Sequence, residues 1–294
     1  MENKLSIEEL LECSFVLLDK PVGPSSHEVT TQVKKMFGAR RTGHAGTLDP
    51  QVSGVLVVAL NRASRLIRFI TSKDKTYVGV LRLRRAPDDI GQLQAAMRRQ
   101  VGAIMQMPPK MSAVAKRIRQ RKVFEFTALE LEKNTALFVS KVEAGTYIRV
   151  LCQEAGKQFG GGKMIQLRRT AVGRINESHL VTLPQLADAL WMWKEKGDEK
   201  LLREMLVPAT ELIDLPRIWL NEEGMKLFSR GAPLTGAAIA RADGGIMPGQ
   251  TALLLSSDGR LMGVGKTQAA YGAKTAGTPA AWVRAQVVLA KPRD

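Results

Sequence analysis

The sequence predicts an α+β protein with a small β-rich domain at its end, and three observations carry that expectation. Runs of β-branched residues alternate with amphipathic helical stretches, but without the regular spacing of βαβ units. After Leu215-Pro216 the composition shifts: from Gly231 onward short apolar runs are broken by glycines and by a turn at Ser257-Asp258-Gly259, the pattern of a domain of short strands. The chain has 294 residues, 45% of them hydrophobic, enough to fill two cores. The expected division is a larger domain over residues 13–214 and a smaller one over 215–294, with 1–12 as a short extension.

Taken in order, Ser25 opens the first clear helix. Glu28, three residues on, completes a capping box, Val29, Val33, Met36 and Phe37 form one apolar stripe, and Gly38 ends it. Val52 to Leu60, interrupted only by Gly54, reads as a buried strand, and Thr76 to Leu83 as a second. Ile90, Leu93, Met97 and Val101 fall in helical register, which predicts a helix from about Pro87 to Val101. Strands are expected at Val123–Leu131 and Leu137–Val142, a helix at Ile148–Phe159 and a strand at Leu167–Ile175. Thr182, with Gln185 at capping-box spacing and Pro184 in the first turn, starts a helix that runs to Trp193. The Lys-Glu-Lys-Gly stretch beyond it faces solvent. No internal repeat or low-complexity tract is present.

Charge narrows the function. Against 28 acidic residues stand 44 lysines and arginines, a net charge of +16, which points to a polyanionic partner and to nucleic acid first. Two cysteines, Cys13 and Cys152, and three scattered histidines make neither a disulfide framework nor a zinc set, so metal catalysis is not expected. The absence of an apolar run of about eighteen residues and the acidic N-terminus argue against a membrane span and a signal peptide, so a soluble, cytoplasmic protein is expected. Lys110, Lys116, Arg117, Arg119, Arg121 and Lys122 are six cations with no acid between them. That density fits phosphate contacts on a mobile loop, with strong salt dependence. A solvated cationic face is the ordinary alternative.

The most informative stretch is Gly43-His44-Ala45-Gly46-Thr47-Leu48-Asp49-Pro50. Gly43 and Gly46 free the backbone for tight geometry, and Pro50 forces Asp49 out of helical conformation. A carboxylate is thereby presented on a rigid loop just before a buried strand, although Asp-Pro alone is ordinary turn chemistry. The loop resembles the catalytic motif of the TruB-like pseudouridine synthases. Other segments are similar to that family's motifs in order: Asp19-Lys20-Pro21-Val22-Gly23-Pro24-Ser25-Ser26-His27-Glu28, then Lys75-Thr76-Tyr77, Gly145-Thr146-Tyr147-Ile148-Arg149, and Leu167-Arg168-Arg169-Thr170-Ala171-Val172-Gly173. Pro108-Pro109, Ser112-Ala113-Val114, Trp193-Lys194-Glu195-Lys196-Gly197 and Leu215-Pro216-Arg217-Ile218-Trp219 resemble the guide-RNA-dependent branch, the dyskerin-like subunit of archaeal and eukaryotic H/ACA ribonucleoproteins. The resemblance covers nearly the whole chain, and residues 215–294 resemble that branch's C-terminal PUA domain.

The resemblance implies a mixed, largely antiparallel sheet flanked by helices, and an activity that isomerises uridine to pseudouridine in rRNA or tRNA without a cofactor. Asp49 is then the catalytic carboxylate; whether it attacks the sugar or acts on a proton of base or ribose stays open. A carboxylate facing a phosphate-rich substrate needs a cation to stay ionised, and Arg149 matches that position. Tyr77 stacks on the flipped uracil, where a strand tyrosine of no special role packs on its neighbours. Leu167 lines the pocket, which suits a core leucine equally. Tyr147 and Arg149 share a face on an extended segment and diverge if they begin a helix. His44 holds the flipped-out part of the RNA or is structural, and Lys20 with Pro21 braces the site wall rather than touching phosphate. Two departures stand out: Arg84-Arg85 where guide-dependent relatives tend to carry His-Gly, and Gly161-Gly162-Lys163-Met164 where relatives often read Ala-His-Met. The leading reading is a synthase working with H/ACA guide RNA, target RNA and small ribonucleoprotein partners. A stand-alone synthase of the tRNA T-loop and a catalytically silent RNA-binding assembly protein are the alternatives.

Overall fold

The structure, a computed structural model, describes residues 5–108, 115–268 and 282–290. The chain divides into two compact units, Met1–Val207 and Pro208–Asp294, ahead of the composition shift at Leu215. The first unit runs α1 (Ile7–Glu12), β1 (Ser14–Lys20), α2 (Ser26–Phe37), β2 (Thr42–His44), β3 (Val52–Leu60), α3 (Arg68–Thr71), β4 (Lys75–Leu83) and α4 (Ile90–Arg98). It continues with β5 (Gly102–Gln106), β6 (Arg119–Glu132), β7 (Thr135–Val142), α5 (Ile148–Gly156), β8 (Gly162–Val172), α6 (Leu183–Lys196) and α7 (Lys200–Met205), and β9 (Val207–Pro208) follows. The strand order is β5-β6-β7-β4-β8-β3-β1, with β2 also on β3. β3 and β8 are parallel while the β1–β3, β2–β3, β4–β7, β4–β8, β5–β6 and β6–β7 pairs are antiparallel, so the sheet is mixed and largely antiparallel, as expected.

Local chemistry sets the helices that border the site. Ser25 and Glu28 form the capping box of α2, Gly38 closes it in left-handed conformation at φ 58°, and Val29 and Val33 are buried. α6 repeats the device with Thr182, Gln185 and a C-terminal Gly197. β3 is apolar on both faces, Val55 through Leu60 all being buried, because it lies between β1 and β8 in the middle of the sheet. One continuous core joins Val16, Leu18, Leu56 and Val58 to Leu186 and Leu190 of α6, and Leu81, Phe126 and Phe138 to Leu93 and Leu151.

Several expectations are corrected. α4 is shorter than the 87–101 pattern because Asp89 caps it by accepting from the Gln92 N–H. Leu93 and Met97 are buried, but Ile90 and Val101, at and beyond the helix ends, are exposed. Within the stretch ahead of residue 13, α1 has its own Ser6–Glu9 capping box and sends Ile7 and Leu10 into the main core. β5 was not expected, β6 begins earlier at Arg119 and β8 earlier at Gly162, each continuing a ladder set by its neighbour.

The second unit holds α8 (Ala209–Leu212), β10 (Arg217–Leu220), α9 (Glu222–Ser229), β11 (Ile239–Ala242), β12 (Thr251–Leu255), β13 (Leu261–Thr267) and β14 (Val283–Val288). Its strands form a sheet of order β11-β10-β12-β13-β14 over a separate core around Ile218, Leu220, Phe228 and Leu254. The Ser257-Asp258-Gly259 turn joins β12 to β13, and the Arg241 guanidinium lies 3.8 Å from the centre of the Trp219 ring. Among the described residues no helix is long and apolar enough to cross a membrane.

Candidate active site

Asp49 stands on the loop between β2 and β3, and its neighbours are pinned from several directions. The Ser26 hydroxyl, at the start of α2, donates to the Leu48 carbonyl at 3.0 Å and accepts from the Leu48 N–H at 2.8 Å. The Gly23 N–H donates to the Pro50 carbonyl and the Val52 N–H to the Asp49 carbonyl, both at 2.9 Å. The loop backbone is thus fixed while the carboxylate itself remains 49% exposed.

Beneath the loop lie three buried cations. Arg169 on β8, 1% exposed, donates through Nε to the Val55 carbonyl at 2.8 Å and through Nη2 to the Gly46 carbonyl at 3.1 Å. Burial lowers its pKa, and the neighbouring Tyr77 phenol opposes that shift. Lys20 donates through Nζ to the Pro21 carbonyl at 2.6 Å and the Pro50 carbonyl at 3.4 Å, so it links the end of β1 to the residue after Asp49. Its pKa is lowered first by burial and then by Arg169, with Asp49 acting the other way. The Lys75 ammonium bonds to the carbonyls of Thr71 and Lys73, and burial, aided by Arg169, brings its pKa down to about 8. His44 is tied at both ring nitrogens, Nδ1 lying 3.2 Å from the Thr30 hydroxyl and Nε2 3.3 Å from the Thr47 hydroxyl. Burial, then the charge of Arg169, lowers its pKa.

Arg149 reaches Asp49 from the opposite side. It sits in the first turn of α5 and its Nη2 donates to the Asp49 carboxylate. The start of that helix is set by Gln106, the buried last residue of β5. Its Oε1 accepts from the Tyr147 N–H at 2.9 Å, and its Nε2 donates to the Tyr147 carbonyl at 3.3 Å. Tyr147 is the N-cap of α5, so Tyr147 and Arg149 begin a helix rather than lying on an extended segment with a common face. Tyr77, half-buried on β4, pairs across the ladder with Arg169, and Gly79 pairs with Leu167. Leu167 and Arg169 therefore share one face of β8. Leu167 is buried in the main core and pairs with Val52, just past the Asp49 loop.

The basic residues fall on two kinds of structure. Lys116 and Arg117 are exposed outside any strand, but Arg119, Arg121 and Lys122 belong to β6 and pair with β5, so this part is an ordered strand and not the expected mobile loop. Arg121 leans on Gly145: a Cβ there would lie 3.2 Å from its Nε and Nη2. Glu143, absent from the basic stretch in sequence, accepts from the Lys122 N–H at 2.9 Å. Pro109, Lys110 and Ser112-Ala113-Val114 lie outside the described residues. The two departures from the family pattern are neighbours, since the Arg84 N–H donates to the Gly161 carbonyl at 3.0 Å.

Sequence reasoning missed Arg169, Gln106, Ser26 and Lys75 as individual site residues. It also missed the two-pronged bond of Arg168 to Asp19, at 2.9 and 3.0 Å, which ties the first motif to the last. Capping-box spacing marks the start of α2 and hence Ser26; Arg169, Gln106 and Arg168 act on partners far away in sequence, while Lys75 bonds to carbonyls two and four residues before it, which its place in a strand does not announce. Among the described residues no group of three or more His, Cys, Asp or Glu could hold a metal ion.

The arrangement offers a solvent-reachable carboxylate held by a guanidinium on a loop backed by buried cations. Comparison with known proteins gives this geometry a family. Residues 34–148 match the model described as TruB family pseudouridylate synthase (N terminal domain), and 149–214 match the tRNA pseudouridylate synthase B C-terminal domain. A probable tRNA pseudouridine synthase B of Pyrobaculum arsenaticum is 41% identical over 261 residues, 88% of this chain and 78% of that protein. That of Methanopyrus kandleri is 38% identical over 267 residues, 90% of this chain and 79% of that one. Among solved structures, a chain of a Cbf5-Nop10-Gar1 complex superposes with a TM-score of 0.86 at 35% identity, over 99% of this chain and 89% of its own. An H/ACA ribonucleoprotein bound to a substrate RNA containing 2′-deoxyuridine gives 0.86 at 34% identity, over 99% and 89%. Identity of this extent, over most of the length of the relatives, settles the question that the Asp49 loop raised: the chain belongs to the TruB family and is a pseudouridine synthase.

Proposed function

We propose that the chain is the catalytic subunit of a guide-RNA-dependent pseudouridine synthase, with Asp49 as catalytic carboxylate, Arg149 as its positioning cation and Tyr77 as the ring that stacks on the flipped uracil. The ion pair between Arg149 and Asp49 carries this reading. In the isomerisation the N1–C1′ bond of uridine breaks, the base turns, and a C5–C1′ bond forms. C5 loses a proton and N1 gains one, so atoms balance without a co-reactant. Asp49 can serve as nucleophile at the sugar or as acceptor of a proton, and in both roles the bond from Arg149 aims the carboxylate. Extruding a nucleotide costs on the order of a few kcal/mol, of which stacking on Tyr77 returns ~1–3 kcal/mol. Leu167 lines the floor, while His44, Tyr147 and Lys20 border the bound nucleotide. Lys116, Arg117, Arg119, Arg121 and Lys122 contact phosphates.

Similarity to Cbf5 chains from H/ACA assemblies, at 34–35% identity over nearly the whole chain, supports dependence on guide RNA and small ribonucleoprotein partners. In this reading residues 13–214 form the catalytic domain, residues 215–294 form a PUA domain that anchors the guide RNA, and the complex works in the cytoplasm on rRNA or tRNA. The name that the relatives carry, probable tRNA pseudouridine synthase B, favours a second reading, guide-independent action on tRNA. Pure protein is incubated with tRNA alone and then with guide RNA and the small partners added. Product only after the addition supports the first reading; T-loop modification by the protein alone supports the second and overturns the first.

A further inference from the structure

We infer that Arg169 is the positioning residue that locks the Tyr77 ring to the loop bearing Asp49, so that the stacking ring and the catalytic carboxylate are held as one rigid piece. This rests on the roles proposed above for Tyr77 and Asp49.

Arg169 is among the largest fully buried side chains of the protein. Its guanidinium donates to the carbonyls of Val55 and Gly46, the Tyr77 phenol opposes the fall that burial imposes on its pKa, and among the described residues no carboxylate pairs with it. A buried guanidinium without a counter-ion is costly, and an apolar side chain of similar volume would fill the space without that cost. Its value therefore lies in what it orients. The planar fork reaches two segments at once: Gly46 on the Asp49 loop, held at φ +84°, and Val55 on β3. Tyr77 lies directly across the β4–β8 ladder. The backbone is shaped to the same end. A Cβ at Gly54 would lie 2.2 Å from the Arg169 carbonyl, so the glycine allows β3 and β8 to approach closely at this point. A lysine, a point charge on a flexible stem, cannot span these partners in the same way.

Positioning is separable from fold support by a double-mutant cycle. Wild type, Arg169→Lys, Tyr77→Phe and the double variant are assembled as full chains with guide RNA and partners, or on tRNA alone if the guide proves unnecessary. Single-turnover rate, RNA affinity and thermal unfolding are measured. If Arg169 acts through the Tyr77 hydroxyl, Arg169→Lys lowers the rate by ~10-fold or more in wild type but by less than about threefold in the Tyr77→Phe background, because contacting residues couple. RNA affinity stays within about twofold in both backgrounds, as expected for an effect confined to the chemical step. An equal fractional loss of rate in the two backgrounds overturns the inference, since a purely structural role does not depend on the hydroxyl. Should Arg169→Lys fail to fold, Arg169→Met takes its place under the same criteria. Asp49→Asn is run alongside: turnover by that variant overturns the underlying assignment, whereas a silent Asn variant with an additive cycle overturns only the role of Arg169.

Discussion

Arg149, in the first turn of α5, donates to the carboxylate of Asp49 across a separation of 100 residues, and the two side chains remain 33% and 49% exposed. An ion pair so exposed contributes only ~0–1 kcal/mol to stability, so its consequence is geometric. Arg149→Lys keeps the charge but loses the planar fork. A fall in turnover of ~10-fold or more is expected, with the unfolding midpoint nearly unchanged, because a misplaced reacting group costs rate rather than fold. Near wild-type turnover would contradict direct pairing with Asp49.

Gln106 transmits the position of β5 to α5 through its two bonds to the backbone of Tyr147. Gln106→Leu preserves the volume and removes both bonds, while the Tyr147 carbonyl keeps those from the Val150 and Leu151 N–H groups, a cost of ~1–3 kcal/mol. Denaturant unfolding should register that loss and turnover should fall with it, since Arg149 lies two residues beyond. Unchanged stability and rate would show that α5 is set by other contacts.

Lys75 makes stability depend on pH. Its pKa is 10.5 when unperturbed and about 8 in the folded chain, chiefly through burial. Below about 8 both states carry the charge and the folded state bears the full penalty; between there and 10.5 the unfolded chain binds more protons, so stability rises with pH. Lys75→Met abolishes this term. Its stability gain or loss relative to wild type should be most favourable to Met below pH 8 and should move steadily toward wild type as pH approaches 10.5. A difference constant across that range would contradict burial of the ammonium.

The exposed cations Lys116, Arg117 and Arg119 can be tested without touching Arg121, which packs at Gly145. Replacing all three with Ala should weaken RNA binding. The slope of log affinity against log salt should fall by about 0.7–0.9 for each phosphate contact removed. An unaltered slope would identify them as a solvated cationic face.

What was legible in the sequence was local. The capping boxes of α2 and α6, the Gly38 that ends α2 and the apolar run of β3 act within a few residues, and each stands where it was expected, whereas α6 runs past Trp193 to Lys196 and ends at Gly197. The Asp49 loop was legible because glycine and proline restrict the backbone wherever they occur. Arg169 was not, because its partners Val55 and Gly46 lie 114 and 123 residues away. Lys75 passes for a solvent-facing strand residue, because the burial of its stem against Gly46 of the site loop leaves no mark within the strand. β5 is short and alternates weakly, and its pairing with β6 decides it. The outward turn of Ile90 and Val101 shows the limit of periodicity: a helical register marks a face, but the cap at Asp89 decides how much of it is helix.

The central claim is that Asp49 performs the chemistry on a loop whose shape does not depend on its charge. Asp49→Asn keeps the size of the side chain, and the bonds that pin the loop through Ser26, Gly23 and Val52 involve other atoms. The most direct measurement is conversion of uridine to pseudouridine by this variant in the guide-assembled complex and on tRNA alone, with RNA affinity recorded in parallel. The account expects no product in either format while RNA is bound within about a few-fold of wild type, the loss being confined to the chemical step. Measurable turnover by the Asn protein would contradict it.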